Sequence, residues 1–276
     1  MPRHLQILWD GTPLAGRHVL IHCYHGLGDT IQFIRFASQV RAIAAELTIW
    51  AQPALIPLLR TMDDVGRLLP LHDGDPGVER DVDIEVMELP HCLRPSIATL
   101  PAEVPYFHLP GRRPLRQGRR KGQPLEVGLV WQSSDWNAAA RSIPVPLLQP
   151  LAALAGVRLH ILQRGPALRH CPPGLGICCG SDDIMATAET MTQLDLVIAV
   201  DTMVAHLAGA LAVPVWVLLA HESDWRWMIG RDDSPWYPSM RLFRQPCPGD
   251  WAAVIGQVCA ALRRMEGAAS LGTIVS

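Results

Sequence analysis

The chain has 276 residues, of which 49% are hydrophobic and 18% charged, with a formal net charge of −2. That length exceeds the usual size of one domain, and that balance excludes a disordered or fibrous chain while giving no global attraction to nucleic acid or anionic lipid. Seven cysteines without a C-x-x-C spacing argue against a zinc knuckle or a disulfide framework, and so for a reducing compartment.

Strand and helix signals alternate from the start. His18 to Cys23 is an apolar run of strand length, followed by Gly26, Leu27 and Gly28. Asp29 is read as opening an amphipathic helix through about Ala45, on the apolar positions Ile31, Ile34, Phe36, Ala37, Val40 and Ile43. Leu47 to Trp50 is a second strand, Pro53 to about Arg60 a proline-started helix, and Arg67 to Leu71 and Val82 to Met87 are further strands. Such alternation predicts a parallel sheet. The segment 111–124, GRRPLRQGRRKGQP, interrupts it with six basic side chains and reads as a solvated linker between domains 1–115 and 116–276. A phosphate- or membrane-facing role is its alternative.

A second series follows. Glu126 to Trp131 is a strand, Pro146 to Leu154 a helix, and Arg158 to Leu162 a strand. Asp183 to about Met191 is a helix and Leu194 to Val200 a strand. Asp201 begins the next helix, which ends near Ala212, and Val213 to Leu218 closes the sheet. The last helix is Trp251 to Met265, expected to reach back toward the first domain, with a disordered tail after Gly267. Leu194 to Ala220 is apolar enough to suggest a membrane span, but Asp201, His206 and Pro214 interrupt it, so strand, helix and strand is the expectation. The first residues lack the apolar core of a signal peptide. A cytoplasmic location is therefore expected, with a peripheral place at the inner membrane face as its extension.

Four segments carry possible chemistry. Glycines between a strand and a helix, here Gly26 and Gly28, let backbone approach a ligand closely. A dinucleotide fingerprint would need a third glycine where Ile31 stands. Asp29 is either a helix cap or a catalytic carboxylate, and the two are compatible. The second segment runs from Asp201 through Thr202 to His206: a helix start that can seat a diphosphate, with a hydroxyl donor and a histidine one turn on. Asp201 would there face sugar hydroxyls or cap the helix. Third, Arg141, after the first strand of the second series, can neutralise a leaving diphosphate or lie idle on the surface. Fourth, Asp224 to Trp227 and Asp233 to Arg244 combine charge with tryptophan, as a stacking surface for a base or sugar or as packing between domains.

These segments together resemble glycosyltransferase family 9, the ADP-heptose:lipopolysaccharide heptosyltransferases, and most of all the members that form the C-terminal part of tetratricopeptide-repeat proteins. The matching text is the stretch from Trp9 to Gly16, GLGDTIQFIRFA from Gly26, PAEVPYF from Pro101, VGLVWQ from Val127 and ARSIP from Ala140. It continues with DLVIAVDTMVAHLAGAL from Asp195 and DSPWYPSMRLFRQ from Asp233, so that nearly the whole chain is covered. The resemblance implies an α/β GT-B-like fold: two Rossmann-like parallel-sheet domains across a cleft, with the acceptor on the first and the donor on the second. It implies transfer with inversion and no required metal or cofactor. Asp29 becomes the general base, Arg141 stands for the family's phosphate-binding lysine, and Asp201, Thr202 and His206 match its D-T-x-x-x-H motif. Met203 stands where the family often has glycine, and no ribose-binding glutamate follows Gly165.

The function expected is transfer of a sugar, heptose or another, from a nucleotide-diphosphate sugar to an acceptor hydroxyl of a carbohydrate, lipid-linked or protein acceptor. The alternative is a catalytically inactive GT-B-like protein that binds a nucleotide or a partner.

Overall fold

A computed structural model describes residues 6–111, 123–133 and 138–271 of the chain, with side chains to residue 266. The first series forms β1 (His18–His22), α1 (Leu27–Phe33), a 3₁₀ turn, α2 (Ala37–Ile43), β2 (Glu46–Ala51), α3 (Ile56–Leu59), β3 (Arg67–Pro70), β4 (Val82–Glu85) and α4 (Leu89–Leu93). The second forms β5 (Leu125–Val130), α5 (Ala138–Arg141), α6 (Gln149–Ala152), β6 (Val157–Ile161), β7 (Ile177–Cys178), α7 (Ile184–Thr192), β8 (Leu196–Val200), α8 (Met203–Ala210), β9 (Val215–Leu219), β10 (Met240–Arg244) and α9 (Trp251–Leu271). Most of the basic 111–124 segment lies outside the described residues.

The strands make two separate parallel sheets, ordered β3-β2-β1-β4 and β10-β9-β8-β5-β6-β7. In each sheet the chain starts in the middle and reverses direction once, between β1 and β4 and between β5 and β8. Such switch points leave a crevice beyond the carboxyl strand ends, where open α/β sheets bind ligands. The apolar strand runs are sorted by their period of two. Val130, Val197, Ala199, Val215, Val217 and Leu219 share a core with the first sheet's Val19, Ile21, Leu47, Ile49 and Ile84, whereas Leu129, Ile198, Val200, Trp216 and Leu218 face the core under α9. One continuous core therefore joins the two halves, each fully buried aliphatic side chain contributing about 1.5–3 kcal/mol.

Several boundaries differ from expectation, for local reasons. The first helix starts at Leu27, not Asp29, and tightens into a 3₁₀ turn at Ile34–Phe36. Asp201 precedes α8, whose N-cap is Thr202. Glu85 ends β4 because its carboxylate accepts from the Met87 N–H and starts a 3₁₀ turn. The second sheet is closed by β10, which the aromatic segment hid, and not by β9; the two-residue β7 adds the other edge. The final helix continues to Leu271 and packs Val254, Val258 and Leu262 on the second sheet, so it neither stops at Met265 nor returns to the first. Leu194 to Ala220 is strand, helix and strand, and among the described residues no helix is long and apolar enough to cross a membrane.

Candidate active site

The two switch points face each other. A cavity of about 410 Å³ between them is lined by Gly26, Gly28, Asp29, Arg141, Asp201, Thr202 and His206, with Tyr24, Asp224 and Arg226. All the site residues named from the first three candidate segments lie in this one cavity. Beside it a second space of about 650 Å³ runs over Gln132, Gln163, Arg164, Gly165, Pro166 and Asp182, sharing Thr202 and Met203 with the first.

Gly26 caps α1, and its N–H donates to Asp29 Oδ2 at 3.1 Å, so Asp29 braces the turn from the third helical position. Its other oxygen, Oδ1, accepts from Arg226 Nη1 at 2.8 Å. Arg226 reaches across from the loop after β9, where Asp224 Oδ1 accepts from its Nε at 2.8 Å and Gln32 Oε1 accepts from Nη1 at 3.0 Å. Asp29 is therefore cap and cavity carboxylate together. Gly28 lines the cavity and also meets a packing need. A Cβ there would stand 2.9 Å from His206 Cδ2 and 3.2 Å from the Met203 Cα, so the missing side chain lets α1 touch the start of α8.

Thr202 caps α8 through backbone geometry alone, and its buried Oγ1 has no hydrogen-bond partner among the described residues. The first N–H groups of a helix lack intrahelical acceptors, and such groups beside an uncommitted hydroxyl are able to seat an anion. Arg141 overhangs it: Nη1 donates to the Asp201 carbonyl at 3.2 Å and lies 3.7 Å from Asp201 Oδ2. Burial raises the Asp201 carboxyl above its ordinary value, against the opposing pull of Trp227, Arg226 and Arg141. Burial, helped by the charges of Arg226 and Arg35, holds the His206 imidazole well below its ordinary value, so the ring is neutral near pH 7. His206 Nδ1 meets the Tyr237 hydroxyl at 3.2 Å, and its ring stacks on Trp227 at 5.3 Å.

The tryptophans expected as a stacking surface are mostly packing between the halves. Trp227 and Trp236 are buried, and Trp236 meets Phe33 edge-on. Arg35, buried on the first-sheet side, donates to the carbonyls of Trp236 and Pro101 and lies 4.4 Å from the Tyr237 ring. The fourth candidate segment contains Asp224 and Arg226, but the sequence singles it out for its tryptophans, whereas the structure brings its charged pair into the cavity.

No protein-family model matches the chain. Protein FlbA of Caulobacter vibrioides is 26% identical over an alignment covering 93% of this chain and 48% of that protein, so the chain spans about half the length of this curated relative. Among solved structures, a family 9 glycosyl transferase from Veillonella parvula superposes with a TM-score of 0.65 at 12% identity, over 93% of this chain and 99% of that one. The iron-containing dodecameric heptosyltransferase TibC of enterotoxigenic E. coli, solved with ADP-D-beta-D-heptose, gives 0.63 at 16% over 92% and 78%. The E. coli ADP-heptose lipopolysaccharide heptosyltransferase II gives 0.60 at 13% over 90% and 99%. The chain thus has the GT-B-like fold of these glycosyltransferases.

Proposed function

We propose that the protein is a glycosyltransferase that moves a sugar from a nucleoside-diphosphate sugar to an acceptor hydroxyl with inversion. Residues 1–115 form the acceptor side and residues 116–276 the donor side. The observation that carries this is the convergence of Asp29, Arg141, Asp201, Thr202 and His206 on one cavity at two opposed switch points. The donor diphosphate lies at the start of α8, where Thr202 Oγ1 and the free N–H groups donate to it and Arg141 neutralises it. The nucleoside extends into the adjoining space along Gly165 and Pro166. The sugar then projects toward Asp29. As the acceptor oxygen attacks the anomeric carbon, Asp29 takes its proton, and the carbon–oxygen bond to the diphosphate breaks with its electron pair leaving on phosphate. General-base help of this kind contributes roughly 10²–10⁴-fold, and an oriented electrostatic site comparable amounts. An ADP-sugar donor is supported by the ADP-heptose seen in a neighbour of the same fold.

Calorimetry with ADP, UDP and GDP, followed by release of nucleoside diphosphate from their sugars, tests it. One diphosphate should bind, and its sugar should be turned over. Arg141→Ala should weaken that diphosphate about 10–100-fold, the worth of a charge-assisted contact, while leaving the nucleoside unchanged. Binding without turnover would leave a nucleotide-binding protein that is not an enzyme.

A further inference from the structure

A hydrogen-bonded chain of three side chains enters the same cavity from the first sheet, and the transfer chemistry above makes no use of it. His22, at the end of β1, and Asp83, on β4, are both almost fully buried, and their Nε2 and Oδ1 are 2.5 Å apart. The Asp83 carboxylate also accepts from Arg80 Nε and from the Ile7 N–H. Burial works against its charge, but the hydrogen bonds from His22 and Ile7 outweigh that and hold its carboxyl below the ordinary value. An ionised Asp83 only accepts, so a neutral His22 ring carries its one proton on Nε2 and presents a lone pair at Nδ1. The Tyr24 hydroxyl lies 2.6 Å from that Nδ1 and therefore donates to it. A phenol oxygen whose hydrogen is committed has only acceptor capacity left. Gln6 Nε2 uses part of it, at 3.2 Å. Tyr24 is 39% exposed and lines the cavity that holds Asp29.

We propose that Tyr24 is an acceptor-binding residue: its oxygen, fixed as a hydrogen-bond acceptor by the buried Asp83–His22 pair, receives a second hydroxyl of a polyhydroxylated, saccharide acceptor whose first hydroxyl faces Asp29. This rests on the transfer function proposed above and narrows its acceptor to a carbohydrate. His22 and Asp83 are positioning residues, because they act through Tyr24. Asp83→Asn would let an amide N–H face Nε2, so that the imidazole donates from Nδ1 to the Tyr24 oxygen and occupies the acceptor site.

The test uses the full chain, the nucleotide-sugar it hydrolyses fastest, and the methyl glycosides of glucose, mannose and rhamnose as acceptors. Tyr24→Phe keeps the ring and removes only the hydroxyl. It should raise the acceptor KM about tenfold, the worth of one neutral hydrogen bond, with kcat, donor hydrolysis in water and nucleoside diphosphate affinity within twofold of wild type. Asp83→Asn should do the same, and the double variant should be no worse than Tyr24→Phe, a coupling that a merely structural Asp83 would not produce. An unchanged KM in Tyr24→Phe, additive losses, or hydrolysis without transfer to any glycoside would overturn the proposal and spare the donor assignment. A wild-type chain that binds no nucleotide-sugar would instead remove the transfer function and this acceptor site with it.

Discussion

Gly28→Ala probes the contact between α1 and the start of α8, where the donor is proposed to bind. Two effects oppose each other. Alanine is the better helix former, by up to about 1 kcal/mol in a helix interior and less in a first turn. Against this, the new Cβ would stand 2.9 Å from His206 Cδ2 and 3.2 Å from the Met203 Cα. Neither neighbour can yield easily. His206 is fully buried between Trp227 and Tyr237, and the Met203 contact is backbone at the first turn of α8. Overpacking of this kind costs about 1–3 kcal/mol, so the net loss should be about 1–2 kcal/mol. Relief moves the start of α8, and with it Thr202, so nucleoside diphosphate affinity should fall along with stability. Gly256→Ala is the matched control: it lies in α9 with nothing within 4 Å of its Cβ position, and it should gain up to about 1 kcal/mol. Urea unfolding and calorimetry of both variants decide the matter. A Gly28→Ala protein as stable as Gly256→Ala, with wild-type nucleotide affinity, would refute the helix-contact argument.

Asp29→Asn keeps an acceptor for the Gly26 N–H but removes one of two carboxylates on Arg226, so it should cost about 1–3 kcal/mol in urea unfolding. Transfer should fall roughly 10²–10⁴-fold at saturating donor, with diphosphate affinity kept; full activity would exclude Asp29 as the base. His206 should make the fold acid-sensitive. Its folded value lies below the unfolded one, so the unfolded state binds the extra proton once pH drops under about 6.5. Its stabilising contribution is complete above that pH and is lost below it, by up to about 1.4 kcal/mol per pH unit. His206→Gln should therefore lose less stability than wild type between pH 7.5 and pH 5.5 in denaturant titrations; parallel curves would contradict the buried neutral ring.

Much of the site was legible in the chain because it sits where strands end and helices begin. The turn after the first strand and the step from Val200 to Thr202 are local features, written in glycine, capping residues and the change of hydrophobic period. The sequence by itself thus determined two alternating series, their parallel sheets, and Asp29, Arg141, Asp201, Thr202 and His206 as candidates. The partners those residues acquire belong to tertiary structure. Arg226 meets Asp29 across 197 positions, and Arg35 meets Trp236 across 201. No local pattern encodes which loop lands on which helix. The sequence singles out Gly28 for a ligand, and only the packing shows that its missing Cβ also admits α8. His22 and Asp83 looked like ordinary strand residues, and only the pairing of β1 with β4 buries them together beneath Tyr24. Local propensity decides where an element starts and which face is apolar; the packing of two sheets into one core decides which polar groups are stranded together and must satisfy one another.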